Sequence, residues 1–403
     1  MPNTLRSIFH RLISTLDIET KRYLYHSFNT DSRLISLIGP RGVGKTTLLL
    51  QYIKEFHDLY SVFYFSADNI YFSKTTLFDF ICDQYETEAI KLFIIDEAHK
   101  YPGWSQELKN IYDSFPDVTV IFSGSSSMDL LKGNYDLSRR GITHHLPGMS
   151  FREYLNFTTG TNLPAITIET LITERKQLST KLATIPKLKG HFKQYLKNGY
   201  YPFIFESKKY YFEKISNIIE KTVYEDIASF YRLKTSNLQI FKQILYYLST
   251  IPPGKINAHN LGKSLSIDNK TVLHYLTILQ ETGLVRLIFS DRSGSSLIRK
   301  PVKVFLDNTS LLHGITKNLG QNVNIGTIRE LFFISMLQNA GEMVFYSKDA
   351  GDYLCNDIVF EIGGINKNKK QLKNATGEAF LVKDDLLHAT SSSIPLWMFG
   401  FLY

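Results

Sequence analysis

Gly39-Pro40-Arg41-Gly42-Val43-Gly44-Lys45-Thr46 is the stretch that decides how the first part of this chain folds. It follows the apolar run Leu34–Ile38 and precedes residues 47–52, whose composition favours a helix. The glycines let backbone N–H groups curl around a phosphate, and the amino end of the following helix attracts anions. Strand, glycine-rich loop and helix in this order predict a nucleotide-phosphate site, here called the phosphate loop.

The side chains of the phosphate loop have separate predicted roles. Lys45 is expected to reach the β- and γ-phosphates, and the Thr46 hydroxyl to hold Mg²⁺. The predicted nucleotide-binding set is Gly39, Pro40, Arg41, Gly42, Val43, Gly44, Lys45, Thr46 and Thr47. ATP and Mg²⁺ are the cofactors that this set predicts.

Further apolar runs at 61–66, 92–95 and 118–122 alternate with helical stretches over the first 150 residues. Such runs are typical of strands buried on both faces, which occur in parallel sheets covered by helices. We therefore predict an α/β domain with a parallel sheet, spanning residues 1–150.

An acidic pair, Asp96 and Glu97, directly follows the run 92–95. Hydrolysis of ATP needs carboxylates near the phosphate loop, and the end of a buried strand is the place for them. We expect Asp96 to hold the Mg²⁺ shell through water and Glu97 to polarise the attacking water. Alternation along a strand predicts that the two side chains diverge.

Two later features are candidates for completing the site. Ser125, in the polar cluster 123–126, is predicted to orient the attacking water, with an ordinary polar turn as the alternative. Arg139 and Arg140 suit the charge that develops on the γ-phosphate oxygens, with a solvated surface pair as the alternative. The sequence leaves open whether an arginine acts within its own chain or on a neighbour.

Size and composition set limits on the class of protein. The chain has 403 residues, enough for two or three domains, with 43% hydrophobic and 21% charged residues. Its net charge of +8 is compatible with a nucleic acid or another polyanion as partner. Two cysteines give no disulfide framework, and no apolar run approaches the length of a membrane span. These features predict a cytoplasmic protein without a membrane segment.

Beyond residue 150 the hydrophobic pattern changes. Residues 151–250 have helical periodicity and are predicted to form a helical lid or linker region. Residues 251–300 are predicted to form a winged helix-turn-helix, with the second helix at Asn269–Glu281. Residues 301–403 return to mixed α/β and are predicted to form a small domain.

These segments together resemble the bacterial and archaeal AAA+ ATPases that carry a helical lid, a winged helix and a restriction-endonuclease-like C-terminal domain. The resemblance implies Lys45 and Thr46 on phosphate and Mg²⁺, Asp96 and Glu97 as the acidic pair, and Ser125 as a sensor. It also implies Arg140 as the arginine finger, although Arg139 replaces the glycine that commonly precedes it. The matching segments are 39–46, 94–100 with Trp104, 122–126, 137–140, 146–154 and 304–308.

A tentative second site follows from the resemblance to nucleases of that fold, which use an Asp and then Glu-x-Lys around one metal. Asp352 or Asp357 precedes Glu361, but Gly363 stands where the lysine is expected. Lys367 is the candidate for a lysine that has moved, and Glu330 would add a carboxylate. A degenerate domain kept for packing or partner binding is the alternative.

Three functional hypotheses follow. The first is an ATPase that acts as a conformational switch on a protein partner or DNA, with a homo-oligomer as one possible assembly. The second is a DNA-processing nuclease that its ATPase domain regulates. The third is a scaffold gated by ATP that does not hydrolyse it. DNA would bind through the winged helix and the basic surface.

Overall fold

The computed structural model describes residues 2–17, 19–124, 137, 139–231, 233, 235–252, 254, 258–290 and 301–403. The chain divides into two compact units, Met1–Gly148 and Met149–Tyr403. Within the described residues, the first unit contains one sheet and the second contains two.

The first unit is built on a five-stranded sheet with the order β2-β3-β4-β1-β5. Every neighbouring pair in it is parallel, as the apolar runs of the sequence predict. Its strands are β1 Leu34–Ile38, β2 Val62–Ser66, β3 Leu92–Asp96, β4 Thr119–Gly124 and β5 Ile142–His145. Its helices are α1 Pro2–Ser14, α2 Lys45–Phe56, α3 Leu77–Glu88 and α4 Trp104–Ser114, with short 3-10 helices at Tyr23–Ser27, Ile70–Ser73 and Ala98–Lys100.

The central strands of this sheet are buried because helices cover both faces. All five residues of β1 are buried, and so are four of the five in β3. α3 and α4 contribute Phe80, Ile81 and Leu108 to the same hydrophobic core. Parallel strands end at a common edge, so the loops after β1 and β3 meet there.

The second unit begins as a helical region. Its first helices are α5 Phe151–Thr159, α6 Ile168–Thr173, α7 Arg175–Leu182, α8 Leu188–Asn198, α9 Tyr211–Lys221, α10 Ala228–Tyr231 and α11 Thr235–Thr250, with a π-helix at Thr222–Ile227. A capping box starts α5, since Ser150 and Glu153 satisfy one another's backbone N–H groups. This region agrees with the helical periodicity of the sequence.

Two helices joined by a short turn follow, α12 Ala258–Leu265 and α13 Asn269–Glu281, in the segment predicted to form a winged helix-turn-helix. Asp268 caps α13, accepting from the backbone N–H groups of Lys270 and Thr271. After α13, β6 Val285–Ile288 pairs antiparallel with β7 Lys303–Leu306. β7 lies within residues 301–403, the predicted C-terminal domain, and shares a two-stranded sheet with β6.

The C-terminal part holds α14 Thr309–Asn318, α15 Ile325–Asn339 and a mixed sheet with the order β12-β11-β10-β9-β8. Its strands are β8 Phe345–Tyr346, β9 Tyr353–Cys355, β10 Ile358–Gly363, β11 Ala379–Lys383 and β12 Ser393–Pro395. The apolar end of the chain forms a buried 3-10 helix, Leu396–Phe401, that packs against α15. The predicted fold class, a parallel α/β domain followed by helices and a second sheet, is confirmed.

The limits of the four predicted domains stay predictions. No helix among the described residues is both long enough and apolar enough to span a bilayer.

Candidate nucleotide site

The phosphate loop joins the carboxyl end of β1 to the amino end of α2. Gly44 caps α2 with φ 95°, a left-handed conformation that favours glycine. A Cβ atom at Gly39 would overlap the carbonyl oxygen of Leu146, so the close approach of that segment requires glycine. The backbone conformation of the loop therefore requires glycine at both of these positions.

Lys45 is buried within this loop, with 5% of its surface exposed. Its Nζ atom donates to the carbonyl oxygens of Gly39 at 2.8 Å and Pro40 at 3.0 Å. The ammonium thus lies against the loop's own backbone, where the sequence predicts contact with phosphate oxygens.

Arg22 donates hydrogen bonds to the backbone of the phosphate loop and of a neighbouring segment. This arginine is buried, and its guanidinium donates to the carbonyl oxygen of Val43 and, at 2.8 Å, to that of Pro147. It connects the middle of the phosphate loop to the segment after β5. Sequence analysis missed this residue because its partners are backbone atoms distant in the chain.

The acidic strand end lies beside the loop, as predicted. The Thr46 hydroxyl donates to Asp96 Oδ2 at 2.6 Å, and Asp96 is almost fully buried at the end of β3. A hydroxyl and a carboxylate facing one another are oxygen ligands of the kind Mg²⁺ prefers beside nucleotide phosphates. These two residues therefore fit the predicted Mg²⁺ position.

Glu97 lies outside β3, so the predicted alternation along a strand does not apply to the acidic pair. β3 ends at Asp96, and Glu97 adopts left-handed φ 52° and ψ 36°. Its carboxylate Oε2 lies 3.5 Å from Nε2 of His99, whose side chain is 2% exposed. Left-handed backbone is uncommon for a residue other than glycine and is often found at functional sites.

Ser123, on β4, contacts both members of the acidic pair. Its hydroxyl donates to Asp96 Oδ1 and accepts from the backbone N–H of Glu97 at 3.1 Å. The predicted sensor, Ser125, lies outside the described residues. The strand order explains this contact. β4 lies next to β3 in the sheet, and this brings Ser123 beside Asp96.

Tyr64, on β2, is a second residue that sequence analysis missed. Its hydroxyl donates to Asp96 Oδ2 at 2.9 Å, the oxygen that Thr46 also contacts. Burial, followed by the negative charge of Asp96, raises the pKa of Tyr64. The hydroxyl therefore keeps its proton and acts as a donor to Asp96.

Replacing Tyr64 with Phe is expected to raise the Mg²⁺ concentration needed for half-maximal Mg-nucleotide binding by about tenfold, because Asp96 loses a donor that orients it. Nucleotide binding in EDTA should stay unchanged. Titrating Mg²⁺ against a fluorescent nucleotide analogue measures both quantities. Tyr85→Phe is the matched control, since the Tyr85 hydroxyl contacts the carboxylate of Asp117 at 3.1 Å. An unchanged Mg²⁺ midpoint in Tyr64→Phe would contradict this role.

The two arginines lie at the other edge of the sheet. They precede β5, which runs parallel to β1, while the phosphate loop follows β1. Arg139 is exposed, and Arg140 forms an ion pair with Asp113 at the end of α4, with Nε 3.2 Å from Oδ1. The length of β1, about 15 Å, separates the two edges. The fold therefore does not bring Arg139 or Arg140 to the phosphate loop of the same unit.

Two residues of the predicted second site, Glu361 and Lys367, lie together at the C-terminal sheet. Glu361, on β10, is fully buried and forms an ion pair with Lys367. Lys367 reaches it by folding over Gly363, where a Cβ would lie 2.6 Å from the lysine Cγ. Burial raises the pKa of Glu361, and the charges of Asp352 and Glu330 act in the same direction.

The other two carboxylates of this second site already accept hydrogen bonds from protein groups. Glu330 accepts from Lys303 Nζ at 2.7 Å and from the Tyr353 hydroxyl, and Asp352 accepts from the Ile362 N–H at 2.9 Å. Within the described residues, no three His, Cys, Asp or Glu side chains are grouped so as to hold a metal ion. The nuclease assignment stays a prediction that this geometry does not strengthen.

Comparisons with known protein families agree with the fold of the first unit. Residues 31–155 match a family model described as an AAA domain, and residues 189–322 match one described as a domain of unknown function (DUF8612). The parallel sheet and the phosphate loop of this region agree with the match to an AAA domain.

Relatives along the full chain are distant. An uncharacterized protein of Methanocaldococcus jannaschii is 26% identical over 399 residues, which cover 90% of this chain and 84% of that protein. A structure of C. elegans PCH-2 is 16% identical, with a TM-score of 0.26, and covers 70% of this chain and 67% of its own. A structure concerning katanin self-assembly is 18% identical, also with a TM-score of 0.26, and covers 51% and 75%. At that score the two structures define no common fold with this chain.

Proposed function

We propose that this protein binds ATP with Mg²⁺, hydrolyses it, and uses the change of nucleotide state to act on a protein partner or DNA. The observation that carries the proposal is the contact between Thr46 and Asp96 at 2.6 Å, with Glu97 directly after it. A phosphate loop alone would support binding. The adjoining carboxylates supply what hydrolysis needs in addition.

Each residue of the site has a step in the proposed reaction. Lys45 would leave the carbonyl oxygens of the loop and contact the β- and γ-phosphate oxygens. Thr46 and Asp96 would hold Mg²⁺, which would supply neutralisation of the phosphate charge. Glu97 accepts a proton from the water that attacks the γ-phosphorus. The bond from the γ-phosphorus to the β–γ bridging oxygen breaks, and ADP and phosphate leave. Ser123 and Tyr64 keep Asp96 in place.

Steady-state release of phosphate from ATP, with Lys45→Ala as the control, tests the proposal. We expect turnover in the parent protein and its loss in the variant, because the ammonium is needed on the phosphates. Parent protein that binds ATP and releases no phosphate under any condition would leave the ATP-gated scaffold as the correct function. Repeating the measurement with duplex DNA tests whether a nucleic acid stimulates turnover.

Arg140 is proposed to act on the nucleotide of a neighbouring copy, because it lies at the sheet edge opposite its own phosphate loop. Lys45→Ala and Arg140→Ala should each be inactive alone. Mixed in equal amounts, they should form about a quarter of their interfaces with both groups intact, and turnover should reappear. No recovery on mixing would contradict action between copies. The same mixture with Arg139→Ala distinguishes the two arginines.

A further inference from the structure

The positive charge of this protein is concentrated in its second unit. Residues 149–403 contain 31 Lys and Arg against 21 Asp and Glu, whereas residues 1–148 contain 15 against 17. The net charge of +8 therefore comes from the second unit alone. A charge asymmetry of this kind points to a polyanionic partner for one unit.

Within the second unit, one long segment without acidic residues covers two consecutive helices. Residues 175–205, which include α7 and α8, contain seven Lys and Arg and no Asp or Glu. Lys189, Lys193 and Lys197 occur at every fourth position of α8, and all three are exposed. We call these three residues the lysine stripe.

The lysine stripe is unfavourable for the helix that carries it. Like charges four residues apart lie on one face and repel one another, and no acidic side chain within 175–205 compensates them. α14, which packs against α8, also has no acidic residue. On α14, burial and then the charge of Lys197 lower the pKa of His313 to about 4. An anionic partner would relieve this repulsion.

The spacing of the stripe suits a nucleic-acid backbone. Successive lysines are about 6 Å apart along the helix axis, so the stripe extends over about 12 Å. A duplex presents one negative charge per about 1.7 Å of its axis, so the ammonium groups of Lys193 and Lys197 can each approach a different phosphate. We propose that the lysine stripe of α8 binds the phosphate backbone of a nucleic acid, without reading its sequence.

This inference rests on the proposed function, in that it names the partner on which the nucleotide state acts. An anionic membrane fits α8 less well, since a membrane-surface helix inserts an apolar face. Three apolar residues of α8, Leu188, Phe192 and Tyr195, are buried in the second unit, and Leu196 is half-buried. The predicted helix-turn-helix is another surface that could bind nucleic acid, and its exposed basic residues include Lys263 and Lys270.

Two charge-matched variants of the full chain separate these surfaces. Lys193→Gln/Lys197→Gln removes two charges from the stripe, and Lys263→Gln/Lys270→Gln removes two from the helix-turn-helix. Lys189 is retained, because its Nζ donates to the carbonyl oxygen of Asp385 at 2.7 Å. Fluorescence anisotropy with a labelled duplex of arbitrary sequence, at several salt concentrations, measures affinity and its salt dependence.

We expect the stripe variant to bind the duplex at least about tenfold more weakly at 0.1 M salt, and its log–log salt slope to be shallower by about 1.8. The helix-turn-helix variant should resemble the parent. Equal losses in both variants, a loss in the helix-turn-helix variant alone, or no duplex binding by the parent at low salt would each overturn the proposal. So would stripe-dependent binding to phosphatidylserine vesicles in place of duplex. Phosphate release without DNA, measured on the same variants, separates failure of this surface from failure of the ATPase.

Discussion

Replacing Glu97 with Gln is expected to lower the turnover number for ATP by about two to four orders of magnitude while ATP still binds. The substitution keeps the size of the side chain and removes the group that accepts a proton from water, and general-base catalysis contributes rate factors of that order. Lys45, Thr46 and Asp96 remain in place to hold the nucleotide. Phosphate release and equilibrium binding, measured on one preparation, give the two values.

Glu107→Gln is the matched control for this prediction. Glu107 belongs to the same domain, and its carboxylate accepts from the Tyr101 hydroxyl at 2.8 Å and the Phe78 N–H at 3.0 Å. It is equally isosteric and should leave turnover within about twofold, because it contacts no part of the site. A Glu97→Gln protein with nearly normal turnover would show that another group accepts the proton.

The second large effect concerns the stability of the second unit. Asp307→Ala is expected to lower the free energy of unfolding of that unit by about 3–5 kcal/mol, because it leaves the Arg286 charge buried without its partner. Arg286 and Asp307 are both more than nine-tenths buried, and Nη2 of Arg286 lies 2.9 Å from Asp307 Oδ1. Urea denaturation followed by near-UV circular dichroism measures the change.

The Arg286 guanidinium also donates to side-chain oxygens of Gln338, at 3.1 Å, and Asn339, at 2.8 Å. These contacts fix its position between β6 and α15, so it cannot move to water when Asp307 is removed. The double variant Arg286→Met/Asp307→Leu should recover much of the lost stability, because replacing a buried pair by apolar residues avoids the unpaired charge.

A surface ion pair provides the comparison for this effect. Glu206→Ala breaks the pair between Glu206 and Lys214, whose side chains are 70% and 38% exposed. Water screens such a pair, so we expect a change of at most about 1 kcal/mol. If Asp307→Ala cost no more than Glu206→Ala, the buried pair would not hold β6 and α15 together.

Much of the first unit followed from local patterns. The apolar run Leu34–Ile38 and the glycines after it require a strand, a loop and a helix, and these three elements are present. Asp96 lies beside Thr46 because the carboxyl ends of neighbouring parallel strands meet at one edge of the sheet. β5 was not predicted, since Ile142–His145 is a short, half-exposed edge strand without a continuous apolar run.

The second unit was less predictable for a related reason. The position of α13 was read from its periodicity, and its limits, Asn269–Glu281, agree with the structure. The pairing of β6 with β7 was not predicted. The two strands are separated by an intervening segment, and no local sequence pattern specifies a distant partner. Lys367 reaches Glu361 through the absence of a side chain at Gly363, which is a matter of close packing.

The sequence by itself determined the phosphate loop, the acidic pair and the alternation of strands and helices, because each depends on neighbouring residues and on the period of burial. Tertiary structure alone decided that Tyr64 and Ser123 hold Asp96, and that Arg140 lies at the opposite edge from the loop. These facts depend on the order and direction of strands in the sheet. That order is set by the packing of the whole domain, and no short stretch of the chain encodes it.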